Sequence, residues 1–139
     1  MDDYAQSEKI KQHETIIKNY FNSWITKNIN IITKYFDDEI VYSECYGPEY
    51  HGINEIKIWF NDWQKENTVL EWTIQRNIHQ NNTVVVEWFF KCNCNETIDN
   101  FNGVSIIEFS EDDKIKSIKE FQSKAEHYFP YKNIEINSK

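Results

Sequence analysis

Glu120 is the first residue to weigh as a chemical agent. A carboxyl set among Trp88, Ile107 and Ile118 loses hydration, which raises its pKa towards neutrality and suits it to proton transfer at neutral pH. Five tryptophans and an aromatic share of 16% exceed what a small core needs. Trp24, Trp59, Phe60, Trp63 and Trp88 are therefore read as an aromatic box for a planar or hydrophobic ligand. His51 and His79 are further candidates, one just before a helix and one at a strand end. Arg76, the only arginine, is expected to face Glu87 among Ile74, Ile78, Val85 and Phe89. A charge pair in that setting suits the register of a subunit interface better than catalysis. Cys45, Cys92 and Cys94 are read as buried or half-buried thiols of a reducing compartment. A C-x-C on a strand lacks the knuckle of C-x-x-C, so no metal site is expected, and no cofactor.

These placements depend on elements that the sequence must build. Ile10, Ile16, Ile17, Tyr20, Phe21, Trp24 and Ile25 recur at helical spacing, so a helix is expected from Ser7, as N-cap, to Lys27. A short helix follows over Ile29–Phe36, ended by Asp37 and Asp38, and then a strand over Glu39–Tyr46 broken by Gly47-Pro48. Gly52 opens a third helix whose stripe is Ile53, Ile56, Trp59, Phe60 and Trp63. Everything after Thr68 reads as strand and turn.

Three turns set the register of those strands. A turn at Asn81-Asn82 puts Arg76 opposite Glu87, Ile74 opposite Phe89 and Ile78 opposite Val85. One at Asn95-Glu96 puts Gly103 opposite Trp88 and Ser105 opposite Val86. One at Asp112-Asp113 puts Glu120 opposite Ser105 and Ile118 opposite Ile107. Because strands alternate with period two, Trp72, Ile74, Arg76, Ile78, Val85, Glu87, Phe89 and Phe121 share one face. Trp88, Phe90, Ser105, Ile107, Ile118, Glu120 and Gln122 share the other. A bulge near Lys116 or Ser117 would reverse the face of Glu120. Both faces are too apolar for water, and three helices cover one side only, so a second subunit is expected on the other.

At 139 residues, 40% apolar, the chain is expected to be one domain spanning 1–139, with its core over about 7–131 and a loose polar tail over 132–139. Fifteen basic residues against 23 acidic give a formal charge of −8, which argues against nucleic acid as a partner. The charged opening stretch has no signal-peptide core and no run approaches membrane-spanning length, so a cytoplasmic protein without membrane contact is expected.

Helix, short helix, strand, Gly-headed helix and meander, in that order, resemble the nuclear transport factor 2 (NTF2-like) superfamily. Phe36-Asp37-Asp38-Glu39-Ile40-Val41 followed by Tyr50-His51-Gly52-Ile53-Asn54-Glu55-Ile56 is similar to the signature of its SnoaL-like branch. Gly103–Phe109 and Lys114–Phe121 match that branch's last two strands. The resemblance implies an α+β, cone-shaped, cystatin-like fold, with three N-terminal helices packed on a strongly curved antiparallel sheet. It also assigns the faces: Trp88, Ser105 and Glu120 to a pocket, and Ile74, Arg76, Glu87 and Phe89 to the interface of a homodimer.

The implied function is binding of a small hydrophobic organic molecule, with acid/base isomerase, cyclase or hydrolase chemistry, or else a non-catalytic binding or interaction module. Glu120 resembles the late-strand acid of the polyketide-cyclase-like members. Tyr20 matches the first-helix tyrosine with which steroid isomerases of the superfamily hold an enolate oxygen, and Phe60 matches a pocket position. Ser43 and Ser105 stand where those isomerases carry their base and second acid, with Glu44 and Glu120 the nearest substitutes. The implied ligand contacts are Tyr20, Trp24, Ser43, Phe60, Trp63, Trp88, Ser105, Ile118 and Gln122.

Overall fold

A computed structural model describes residues 3–133 of the chain; most of the expected polar tail lies outside the described residues. Helix α1 spans Asp3–Thr26 and buries Ile16, Ile17, Tyr20, Phe21 and Trp24 along its inner stripe. It begins before Ser7, so that serine is not the cap; acidic Asp3 in the first turn suits the positive end of the helix dipole. Helix α2, Ile29–Tyr35, is capped by Asn28, whose side chain accepts from the Asn30 amide at 3.1 Å. It stops one residue earlier than expected because Phe36 turns to extended backbone and opens strand β1, Phe36–Ser43. That strand therefore runs three residues ahead of the expected Glu39–Tyr46. Residues 44–48 form a turn closed by the Glu44 amide on the Pro48 carbonyl at 2.9 Å, leading into β2, Glu49–His51.

Helix α3, Ile53–Trp63, follows Gly52, whose φ of 85° is a conformation that other residues rarely adopt. Four long strands complete the chain: β3 (Asn67–Gln80), β4 (Thr83–Cys94), β5 (Thr97–Phe109) and β6 (Ile115–Lys124). The six-stranded sheet has the order β2-β1-β6-β5-β4-β3. It is antiparallel throughout except where β1 runs parallel to β6, a pairing that hairpin turns do not reveal. The α+β architecture of three helices over a curved sheet is as expected.

Turn-set registers hold across β4–β5 and across the functional half of β5–β6. Gly103 faces Trp88, Ser105 faces Val86 and Glu120, and Ile107 faces Ile118. A β6 irregularity does occur at Lys116, but it lies between Ile115 and Ser117, so Glu120 keeps the helix-facing side. On β3 one expectation fails. Arg76 pairs with Glu87 and Ile78 with Val85, but a bulge at Gln75 moves Ile74 opposite Trp88 rather than Phe89. One extra residue reverses the side chains before it, until a second irregularity at Leu70 returns Val69 to the inner face. Trp72 and Ile74 consequently turn onto the concave face, Trp72 stacks on Phe21 at 3.9 Å, and Ile74 leaves the proposed interface set.

The core lies between α1, α2, α3 and the concave face, with Tyr20, Tyr42, Phe60, Trp88 and Ile118 essentially inaccessible. Gly103 makes room for the Trp88 indole: a Cβ there would collide with Trp88 Cη2 and Cζ2 and lie 2.6 Å from the Phe121 carbonyl oxygen. On the convex face Arg76 Nη2 lies 3.5 Å from Glu87 Oε2, and both side chains are exposed in the single chain. Cys92 and Cys94, expected as thiols, are joined in a disulfide, while Cys45 is free. Residues two apart on a strand share a face, and their Cα separation of 5.6 Å is within the span a disulfide bridges.

Candidate functional site

The concave face and the helices border a small cavity of about 40 Å³ that opens at its mouth to solvent. Its walls come from every layer of the fold. Trp24 of α1 and Trp59 and Trp63 of α3 close one side. Val69, Trp72, Trp88, Phe90 and Phe101 of the long strands form the floor. Tyr42 of β1 and Glu120 of β6 stand together at the parallel junction, and Glu44, Cys45 and Tyr46 of the following turn complete the rim. Glu44 and Glu120 are the charged lining residues.

Alternation positions the polar groups. Ile40 and Tyr42 point inward along β1, and parallel pairing sets Tyr42 beside Ile118, one step in the inward row from Glu120. The Trp24 indole N–H donates to the Tyr20 hydroxyl at 3.0 Å; Tyr20 donates to Tyr42 at 2.7 Å, and Tyr42 to Glu120 Oε2 at 2.7 Å. This chain of donors ends on one carboxyl oxygen and leaves Oε1 without a hydrogen bond among the described residues. Burial pushes the Glu120 carboxyl up to about 8, Tyr42 pulls it down, and Glu44 pushes it further up. Glu44 is also raised by burial, with the Tyr50 hydroxyl, which donates to it at 3.1 Å, drawing it back. Both buried phenols are raised well above their ordinary value, by burial first and then by Glu120. They stay protonated as donors. Burial, then the two carboxyls, pushes the Cys45 thiol up to about 12, so it is no nucleophile at neutral pH.

Of the residues named from sequence, Glu120, Trp24, Trp63 and Trp88 line the cavity, and Trp59 joins them. Tyr20 does not: it sits behind Tyr42 and reaches the cavity only through that hydroxyl. Phe60 packs beneath Trp24, with ring centroids 4.4 Å apart, and Ile118 is in the core. Ser105 is buried and accepts from Trp88 Nε1 at 2.9 Å, so it orients the indole. Ser43, one residue from Tyr42, faces the other way and donates to Glu49 at 2.6 Å. Gln122 is exposed, beyond the cavity's end. The histidines are engaged elsewhere: His51 with Glu49 at 2.8 Å and His79 with Glu14 at 2.6 Å. Glu44, named from sequence as a substitute acid, stands at the rim, and Tyr42 is the residue that the sequence reading missed. Its signal was the period-two row Ile40, Tyr42, Glu44 within the expected strand.

A family model described as a SnoaL-like domain matches residues 17–118, so the chain belongs to the SnoaL-like branch of the NTF2-like superfamily. The match ends two residues before Glu120 but includes Tyr20 and Tyr42. No protein with a curated description matches the chain. Among solved structures, it is similar to a hypothetical protein with a ketosteroid isomerase-like fold from Catenulispora acidiphila in complex with trimethylamine: TM-score 0.69, 17% identity, 78% of this chain and 85% of that one. It is also similar to an epoxide hydrolase of M. tuberculosis (0.72, 13%, 81% and 84%). An NTF2-like protein from Burkholderia xenovorans gives 0.69 at 11% identity over 88% and 91%. At these identities the likeness is one of fold. No helix among the described residues is long and apolar enough to cross a membrane.

Proposed function

We propose that the chain binds a small, largely apolar organic molecule in this cavity and moves a proton on it with Glu120. The observation that carries this reading is the placement of that carboxyl: at the wall of an aromatic cavity, one oxygen fixed by Tyr42 and the other unengaged. A carboxyl held near neutral pH exchanges protons in either direction, the property required of an isomerase, cyclase or hydrolase acid/base. Tyr42 touches the acid and is its positioning partner, while Tyr20 and Trp24 hold Tyr42 in place. The solved structure described as an epoxide hydrolase is compatible with such chemistry. The test is a carboxyl carbon-13 NMR titration of Glu120, assigned by E120Q. An inflection near 8 supports the proposal, and one near 4.5 removes the agent.

The proposal extends to assembly: two copies meet on the convex face around Arg76, Glu87 and Phe89. In support, Ile78 and Phe121 lie on that face about half exposed, at 50% and 48%, as apolar surface does before it is covered.

A further inference from the structure

Resting on that reading of the cavity, we propose that its occupant is a small organic cation, an alkylated ammonium held by indole and phenyl faces between the Glu44 and Glu120 carboxyls. Both charged side chains at the cavity are acids, and no lysine, arginine or histidine lines it. An anion would meet the Glu44 carboxylate, and a neutral molecule would leave that carboxylate without a counter-charge. A cation answers both.

The rings are set to receive one. Trp72 stands nearly perpendicular to Trp88, at 87° with centroids 5.6 Å apart, and to Phe90, at 84° and 5.5 Å. Trp24 and Trp63 cross at 84° and 5.4 Å. In these crossed pairs the edge of one ring meets the face of another, and the indole and phenyl surface that lines the cavity attracts an ammonium through its negative faces and covers the alkyl groups with its apolar area. The overall charge of −8 draws cations towards the mouth.

Occupancy by a cation also changes the acid. The groups facing Glu120 are Tyr42 of β1, backed by Tyr20 of α1, and Glu44, Cys45 and Tyr46 of the turn; the strand floor and α3 offer none that titrates. None supplies a positive charge. A bound ammonium supplies it, and a Glu120 carboxyl that is still protonated then gives its proton to solvent, so that below about pH 8 the carboxylate base is favoured by the complex.

The experiment is calorimetric titration of the full chain with choline and with its uncharged isostere 3,3-dimethylbutan-1-ol, from about pH 6 to 9. Choline is expected to bind at least about tenfold more tightly than the alcohol. Its affinity should rise by about tenfold per pH unit up to about 8 and level off above, with proton release that depends on buffer. Choline is fully charged throughout, so the slope belongs to the protein. E120Q should flatten the slope, and E44Q should weaken choline binding while keeping it. Equal or tighter binding of the alcohol overturns the cation assignment while leaving an acid/base pocket in place, and so does failure of both to bind. An NMR inflection of Glu120 near 4.5 would instead overturn the proton-transfer reading, whichever molecule binds.

Discussion

At the scale of single residues, the decisive contact is the Tyr42 hydroxyl on Glu120, because it lowers a carboxyl that burial raises. Y42F should therefore move the Glu120 inflection above about 8, read by the same carboxyl titration; a fall or no change would show that Tyr42 is not its governing partner. The raised acid also bears on stability. A group whose folded pKa lies above its unfolded value stabilises the fold fully below the unfolded value, about 4.5. That contribution is lost as pH climbs through about 8. E120Q, which never ionises, should melt about 3–8 °C above the parent at alkaline pH and close to it in acid. Thermal scans at both ends of the range check this. Glu120 was legible in the sequence because two hairpin registers converge on it. Tyr42 was not, because attention fell on the adjacent Ser43 through family position, although alternation already favoured the tyrosine.

At the scale of elements, hairpins with two-residue turns carry their own register, so β4 and β5 could be aligned from Asn95-Glu96 alone. Bulges carry no such signal. Gln75 looks like any strand residue, yet it sends Trp72 and Ile74 to the opposite face and supplies part of the cavity floor. Deleting Gln75 should close the ladder with Ile74 still opposite Trp88 and Trp72 still opposite Phe90, so the tryptophan emission should stay as in the parent; a red shift would mean that Trp72 needs the bulge to stay inside. The β1–β6 junction was equally hidden, since a parallel pair has no turn to mark it. Gly103, by contrast, was placed opposite Trp88 from sequence, and its missing side chain is what lets the indole lie there. G103A should cost about 2–4 kcal/mol in chemical unfolding, since backbone and a packed ring leave little room to yield. A loss under about 0.5 kcal/mol would mean that β5 shifts freely.

At the scale of the whole molecule, the convex face sets a test of assembly. Arg76 and Glu87 are exposed in one chain, so on the dimer reading they become buried together. E87A should leave Arg76 unpaired at the interface and weaken association by about tenfold or more, seen as monomer in native mass spectra at low concentration. An unchanged dimer mass would place the contact elsewhere. The fold class was legible because helical stripes and turn spacing recur along the whole chain. The disulfide was not, because Cys92-x-Cys94 reads equally as two buried thiols until the strand shows both on one face.

The parallel junction has a consequence for the birth of the protein. Strand β1 leaves the ribosome early, but one of its edges stays open until β6, some eighty positions later, has been made. In the interval the aromatic floor can close only from the β3–β5 side, and a free strand edge invites wrong partners. So distant a contact is slow to form, and the strand that joins β1 to β5 is also the one that carries the acid. A chain that stops short of β6 therefore lacks both the pairing at the parallel junction and the carboxyl that meets Tyr42 there.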